Sequence, residues 1–162
     1  MPSFRTTRRV PVTPRQMFDL VADVERYPEF LPLCEALTVR RREHEGDVEI
    51  LIADMTAGYK AIRETFTSRV RLDAARLEVT TVGVQGAMGP FGRLENRWLL
   101  GAAPAGGGCD VDFTIAYELK SMMLQMLVGA LFDRAFARYT EAFEARARVV
   151  YGTGVPAARE SS

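Results

Sequence analysis

Side chains able to do chemistry are few in this sequence, and their spacing suits few reactions. His44 is the single histidine, set between Glu43 and Glu45 in an expected turn (Glu43 to Asp47), so a multi-histidine metal site is excluded. A lone turn histidine reads as solvated. Cys34 and Cys109 are the two cysteines, with no Cys-x-x-Cys pair, which excludes a zinc ribbon and a thioredoxin-type motif. They read as reduced, buried thiols. Asp110 and Asp112 lie two apart on the polar side of an alternating segment, so both point to water. The glycine run from Gly83 to Gly92 is followed by no Lys-Ser/Thr and opens no helix, so it is neither a phosphate cradle nor a dinucleotide fingerprint. It reads as a flexible loop of the kind that gates a pocket, with Met88 and Phe91 as mobile apolar members.

Two polar residues are candidates for contacting a ligand head group. Asp54 lies between Ile52 and Met55, which makes it either a polar group inside a cavity or an edge charge. Arg63 shares strand parity with Tyr59 and Arg69. If that side of the strand faces inward, an arginine enters the cavity and can bind a polar head. If Ile62, Phe66 and Val70 face inward, the arginines face solvent. Arg40, Arg41 and Arg42, with Arg5, Arg8 and Arg9, are candidates for a patch that meets an anionic surface.

The elements that must position these residues follow from periodicity. Ser3 to Val12 alternates as a strand. Thr13-Pro14 opens a short helix that ends near Asp23, since Thr caps free amides and Pro fits the first helical position. A second short helical segment, from Glu25 to Leu33, is confined by Pro28 and Pro32. From Cys34 to Leu119 the period is two, which predicts about six antiparallel strands; Cys109 to Leu119 alternates most cleanly. Ser121 to Val150 predicts one helix of roughly 45 Å at 1.5 Å per residue. Its first part, Met122 to Phe132, is apolar all round, which suits a core helix, a pocket wall or a lipid contact. Residues 152–162 read as a disordered tail after a single domain over 1–151. The predicted class is α+β, a helix-grip fold: an antiparallel sheet wrapped around a long C-terminal helix, with a hydrophobic cavity between them.

Composition agrees with a folded domain. The chain has 162 residues, 48% hydrophobic and 26% charged, enough to bury a sizeable core without metal or disulfide staples. Lys+Arg is 21 and Asp+Glu is 21, so no global charge draws it to nucleic acid; DNA is not an expected partner. Arginine outnumbers lysine 19 to 2. No signal peptide and no run of about 20 apolar residues is visible, so the expected location is cytoplasmic, peripheral to the inner membrane at most.

Three groups of residues carry a family resemblance. They are Tyr27-Pro28-Glu29-Phe30-Leu31-Pro32-Leu33-Cys34 after the first helix, Gly89-Pro90-Phe91 before the Trp98 strand, and Phe132, Phe143, Arg146, Ala147 and Tyr151 in the last helix. Over about residues 3–151 the sequence resembles the coenzyme Q-binding branch of the START-like superfamily. These are polyketide cyclase/dehydrase-type lipid transfer proteins, and their bacterial relatives include the ribosome association toxin A group. The resemblance implies a hydrophobic tunnel between sheet and helix that binds ubiquinone or a similar isoprenoid lipid, in support of respiration or quinone biosynthesis. It places Tyr27, Phe30, Leu31 and Phe91 near the tunnel mouth. The expected lining adds Phe66, Met88, Trp98, Phe113, Ile115, Tyr117, Met126 and Phe132. No catalytic residue, metal or cofactor is expected; the lipid is the bound ligand, and a membrane surface is an expected transient partner. Two alternatives stay open. One is a toxin-like regulator that binds a ribosomal subunit through a basic surface. The other is a small polyketide cyclase or dehydratase using Asp54 or Arg63 inside the cavity.

Overall fold

The computed structural model describes residues 3–104 and 106–152. The expected disordered tail lies, from residue 153 on, outside the described residues. Seven strands form one antiparallel sheet: β1 (Ser3–Val10), β2 (Cys34–Glu45), β3 (Val48–Tyr59), β4 (Ile62–Asp73), β5 (Glu78–Gly83), β6 (Phe91–Ala102) and β7 (Cys109–Leu119). Their order across the sheet is β1-β7-β6-β5-β4-β3-β2. Each strand from β2 to β7 pairs with its neighbour in sequence, and β1 closes onto β7. Register shifts in β2, at Cys34/Ala36 and Val39/Arg41, and in β6, at Phe91/Arg93, add the local bends that let a sheet curl. In β7 every odd residue from Cys109 to Tyr117 is buried, while Asp110 and Asp112 face outward.

Between β1 and β2 the chain forms α1 (Pro14–Ala22) and a 3₁₀ turn (Val24–Glu29). Thr13 and Gln16 make a reciprocal cap: the Gln16 amide donates to the Thr13 hydroxyl and the Thr13 amide to the Gln16 side chain, each at 3.0 Å. Such a cap contributes about 1 kcal/mol. Met17, Phe18, Leu20 and Val21 form the buried face of α1. These elements, the sheet and the C-terminal helices share one apolar core. The predicted helix-grip fold is therefore the observed one.

Three local expectations need correction. The C-terminal segment is two helices, α2 (Met122–Ala137) and α3 (Tyr139–Tyr151). At Arg138 the backbone amide turns back to the carbonyls of Ala135 and Phe136, which tightens the last turn of α2 and redirects the chain. His44 lies within β2, opposite Glu49, and the turn is the shorter Gly46-Asp47. The glycine-rich loop is fastened, not loose. Thr67 donates to the Ala87 carbonyl at 2.7 Å and Val84 to the Thr67 carbonyl at 2.9 Å. Met88 and Phe91 are buried. Gly89 has φ +55°, and a Cβ there would run into the Thr65 carbonyl oxygen, so glycine is required for this close approach.

Candidate functional site

A cavity of about 70 Å³ lies between the concave face of the sheet and the α2–α3 junction. The sheet contributes Ala53 and Met55 from β3, Phe66, Ser68 and Val70 from β4, and Leu94, Asn96 and Trp98 from β6. Phe136, Tyr139 and Phe143 close it from the helices, and Val24 and Tyr27 from the 3₁₀ turn. Its walls are an aromatic mesh. Phe143 lies 4.6 Å from Trp98, 5.2 Å from Tyr27 and 5.0 Å from Phe30, ring centre to ring centre. Trp98 lies 4.7 Å from Phe113. Edge-to-face pairs of this kind add stability beyond their burial and keep the walls stiff.

The polar lining is small and uncharged. Ser68 (β4), Thr81 (β5), Asn96 (β6) and Tyr139 (α3) border the cavity. Asn96 donates its amide to the Thr114 carbonyl at 2.8 Å. Among the described residues, no side-chain hydrogen bond engages the hydroxyls of Ser68, Thr81 and Tyr139. Burial pushes the Tyr139 phenol well above its ordinary range. Burial does the same to Tyr27, whose hydroxyl donates to the Val21 carbonyl at 2.5 Å. Both phenols are therefore neutral donors at any physiological pH. Among the described residues, no carboxylate, histidine, lysine or arginine lines this cavity. The arrangement suits an apolar molecule with one or two neutral oxygens.

The wall at the 3₁₀ turn is held by a clasp. Arg146 of α3 pairs with Glu29 at 2.5 Å, and its guanidinium lies 5.2 Å from the Phe30 ring. Arg26 adds a second contact to Glu29 at 2.9 Å. Hydrogen bonds from both arginines hold the Glu29 carboxyl below the usual carboxylate range.

The polyketide cyclase/dehydrase and lipid transport family matches this chain over residues 10–144. The chain belongs to that family. Ribosome association toxin RatA of Rickettsia prowazekii is 30% identical over 93% of this chain and 99% of its own length. Coenzyme Q-binding protein COQ10 homolog B of Xenopus laevis is 28% identical over 85% of this chain, which spans 54% of that protein. The solution structure of the 18 kDa protein CC1736 of Caulobacter crescentus is 34% identical and superposes with a TM-score of 0.73, covering 94% of this chain and 99% of the other.

Within this family frame, four of the sequence-predicted residues line the cavity: Tyr27, Phe66, Trp98 and Ile115. Phe132 lies instead in a smaller groove with Val128 and Pro90. Leu31, Met88, Phe91, Phe113 and Tyr117 are core residues behind the wall, and Phe30 packs outside Tyr27 and Phe143. Three predictions are overturned. Met126 is 83% exposed, on the solvent face of α2 away from the buried Val128 and Phe132. Asp54 faces the outer side, since its neighbours Ala53 and Met55 take the inner one. It accepts from the Thr67 hydroxyl at 2.6 Å and meets Arg40 at 3.6 Å. Arg63 is exposed and pairs with Glu35 at 2.9 Å; Phe66 and Val70 are the inward residues of β4. The polar set Ser68, Thr81, Asn96 and Tyr139 was missed. Parity was the available signal: Ser68 shares the face of Phe66 and Val70, and Asn96 that of Leu94 and Trp98.

The arginine clusters are also not a free basic patch. Arg5 pairs with Asp112 at 3.0 Å, Arg8 with Glu144 at 2.8 Å and Arg9 with Asp110 at 2.7 Å. Arg41 pairs with Glu43 at 2.8 Å, and Arg42 with Glu25 at 2.7 Å and Glu49 at 3.2 Å. Exposed pairs add little stability, yet they cancel the local field. Both cysteines are free and buried, and burial raises the Cys34 thiol to about 11 and the Cys109 thiol to about 12. Among the described residues, no helix is long and apolar enough to cross a membrane.

Proposed function

We propose that this chain binds ubiquinone or a similar isoprenoid lipid between sheet and helices, and carries it in the cytoplasm without transforming it. The observation behind this reading is the uncharged cavity with unengaged hydroxyls. A quinone ring presents neutral carbonyl oxygens that the Tyr139 and Ser68 hydroxyls can donate to. A fatty acid or phosphate head would bring an uncompensated charge into the same space, at a cost of several kcal/mol. Each isoprenoid unit of about 100 Å² buried contributes roughly 2.5 kcal/mol. The name of the Xenopus relative, a coenzyme Q-binding protein, supports the same ligand class. No acid or base lines the cavity, and Asp54 and Arg63 lie elsewhere, so carriage is favoured over cyclisation.

The cavity of about 70 Å³ is smaller than the about 300–1,000 Å³ typical of ligand sites. Binding therefore requires its wall to move outward, and the Glu29–Arg146 clasp is the contact that must yield. The test is organic extraction of the purified protein with mass spectrometry, followed by titration with ubiquinone. Bound or acquired quinone, and roughly tenfold weaker binding in Tyr139→Phe, is the expected result. A folded protein that neither carries nor takes up quinone overturns the proposal.

The family relatives favour one second reading, association with ribosomal subunits, because the full-length relative from Rickettsia is a ribosome association toxin. The neutralised arginine faces give it no evident RNA-binding surface. Sedimentation of ribosomes with added protein decides it: unaltered subunit association removes this reading.

A further inference from the structure

The first two turns of α2 carry a surface that a helix in water does not normally present. From Ser121 to Phe132 the chain has no charged residue. Met122, Met123, Met126 and Leu127 are 70–83% exposed. They stand at i, i+1, i+4 and i+5, which is one helix face, and that face points to solvent while Val128, Gly129 and Phe132 point to the core. Beside them stands the β3–β4 hairpin, whose Tyr59 and Ile62 are also exposed and share a small groove with Leu124 and Val128 of α2. The two elements make one apolar tip.

The charges around this tip identify its occupant. The chain has two lysines, Lys60 and Lys120, and both border it: Lys60 in the hairpin turn, Lys120 just before α2. Neither makes an ion pair among the described residues. The arginines of the sheet, by contrast, are paired with acidic partners almost throughout. Two acidic residues lie at the hairpin: Glu64, half-buried in the groove, and Glu35, which sits against Gly58 and is neutralised by Arg63 at 2.9 Å. Apolar residues ringed by unpaired lysines complement a lipid bilayer with anionic head groups. The side chains enter the acyl boundary, and the ammonium groups meet the phosphates. The α2 face, made of Met122, Met123, Met126 and Leu127, offers neither the aromatic nor the arginine anchor on which protein interfaces usually centre. The outward face turns charged again at Asp133 and Arg134, which limits insertion to the first turns of α2.

We infer that the tip formed by α2 and the β3–β4 hairpin is a docking surface for an anionic lipid bilayer. This does not depend on what the cavity holds, because vesicle binding needs no bound ligand. The test is flotation of the full chain with vesicles of phosphatidylcholine alone and of phosphatidylcholine mixed with phosphatidylglycerol. The expected result is co-flotation with the mixed vesicles, weakened by salt. The double variant Met126→Glu/Leu127→Glu should lose it while keeping its unfolding transition. Lys60→Gln and Lys120→Gln should each weaken it about fivefold. Failure of the wild-type chain to float, or unchanged flotation of the double variant, overturns the assignment. So does a dimer, or a ribosomal-subunit complex, that the double variant abolishes in the absence of vesicle binding.

Discussion

The start of α2 and the Phe143–Ala147 stretch of α3 both carry apolar residues at helical spacing, yet their surroundings are opposite. Phe143 and Ala147 of α3 are 1% and 0% exposed, locked against Trp98, Tyr27 and Phe30. Met122, Met123, Met126 and Leu127 of α2 touch little but solvent. The difference shows that an apolar helical face tells where a contact is available, not which contact is made. In α3 the contact is internal. In α2 it is left for something outside the chain.

The sharpest way to break this contrast is to truncate its buried end. Phe143→Ala should destabilise the fold by about 3–5 kcal/mol in denaturant unfolding, because the aromatic mesh cannot collapse into the gap. A loss under about 1 kcal/mol would mean that α3 is no better packed than the α2 tip. Alkali should act on the same end. Tyr139 opens α3 with its phenol raised by burial, and the Cys34 thiol is raised from 9.0 to about 11. Each group binds its proton more tightly folded than unfolded. The stability they supply is complete below pH 9 and falls as pH rises through about 11 and then through the Cys109 value of about 12. Thermal unfolding across that range reads the decline; a flat profile would contradict the burial. A smaller effect is expected from Arg146→Ala, which opens the clasp to Glu29 and Phe30. It should remove about 1 kcal/mol and speed amide exchange in the 3₁₀ turn. The smallest is Met123→Gln at the α2 tip, expected to change stability by less than about 0.5 kcal/mol. A large loss there would show that the tip is structural after all.

Much of the fold was legible because each strand has one wet and one dry face. In β7 Asp110 and Asp112 alternate with Val111 and Phe113, and the register follows. The side taken by β3 was not legible: Ile52 and Met55 lie on opposite faces of it, so its period leaves Asp54 free to go either way. The break at Arg138 carries no proline or glycine. It arises where α3 lays Tyr139 and Phe143 onto the sheet residues of the cavity while α2 turns Val128 and Phe132 to the β3–β4 end, a demand set by tertiary packing. The neutralisation of Arg5 and Arg9 by Asp112 and Asp110 needs the β1–β7 pairing, which joins the first strand to the last. The site was half legible: Tyr27, Phe66 and Trp98 were found by type, while Phe136, Tyr139 and Phe143 were missed and the polar residues were overlooked because each is ordinary in isolation.

That pairing of the first strand with the last also sets a timetable. Ser3 meets Ala116 and Val10 meets Cys109, so roughly a hundred residues separate partners, whereas every other pair of adjacent strands is joined by a short turn. During synthesis β1 leaves the ribosome first among the strands and pairs last, after the β2–β7 meander has emerged. Closing so large a loop is the slow, entropically expensive step for a protein of this topology. Until it happens the inner edge of β7 stands open. The nascent chain is then a six-stranded sheet with an unpaired margin, the state in which it is most exposed to aggregation.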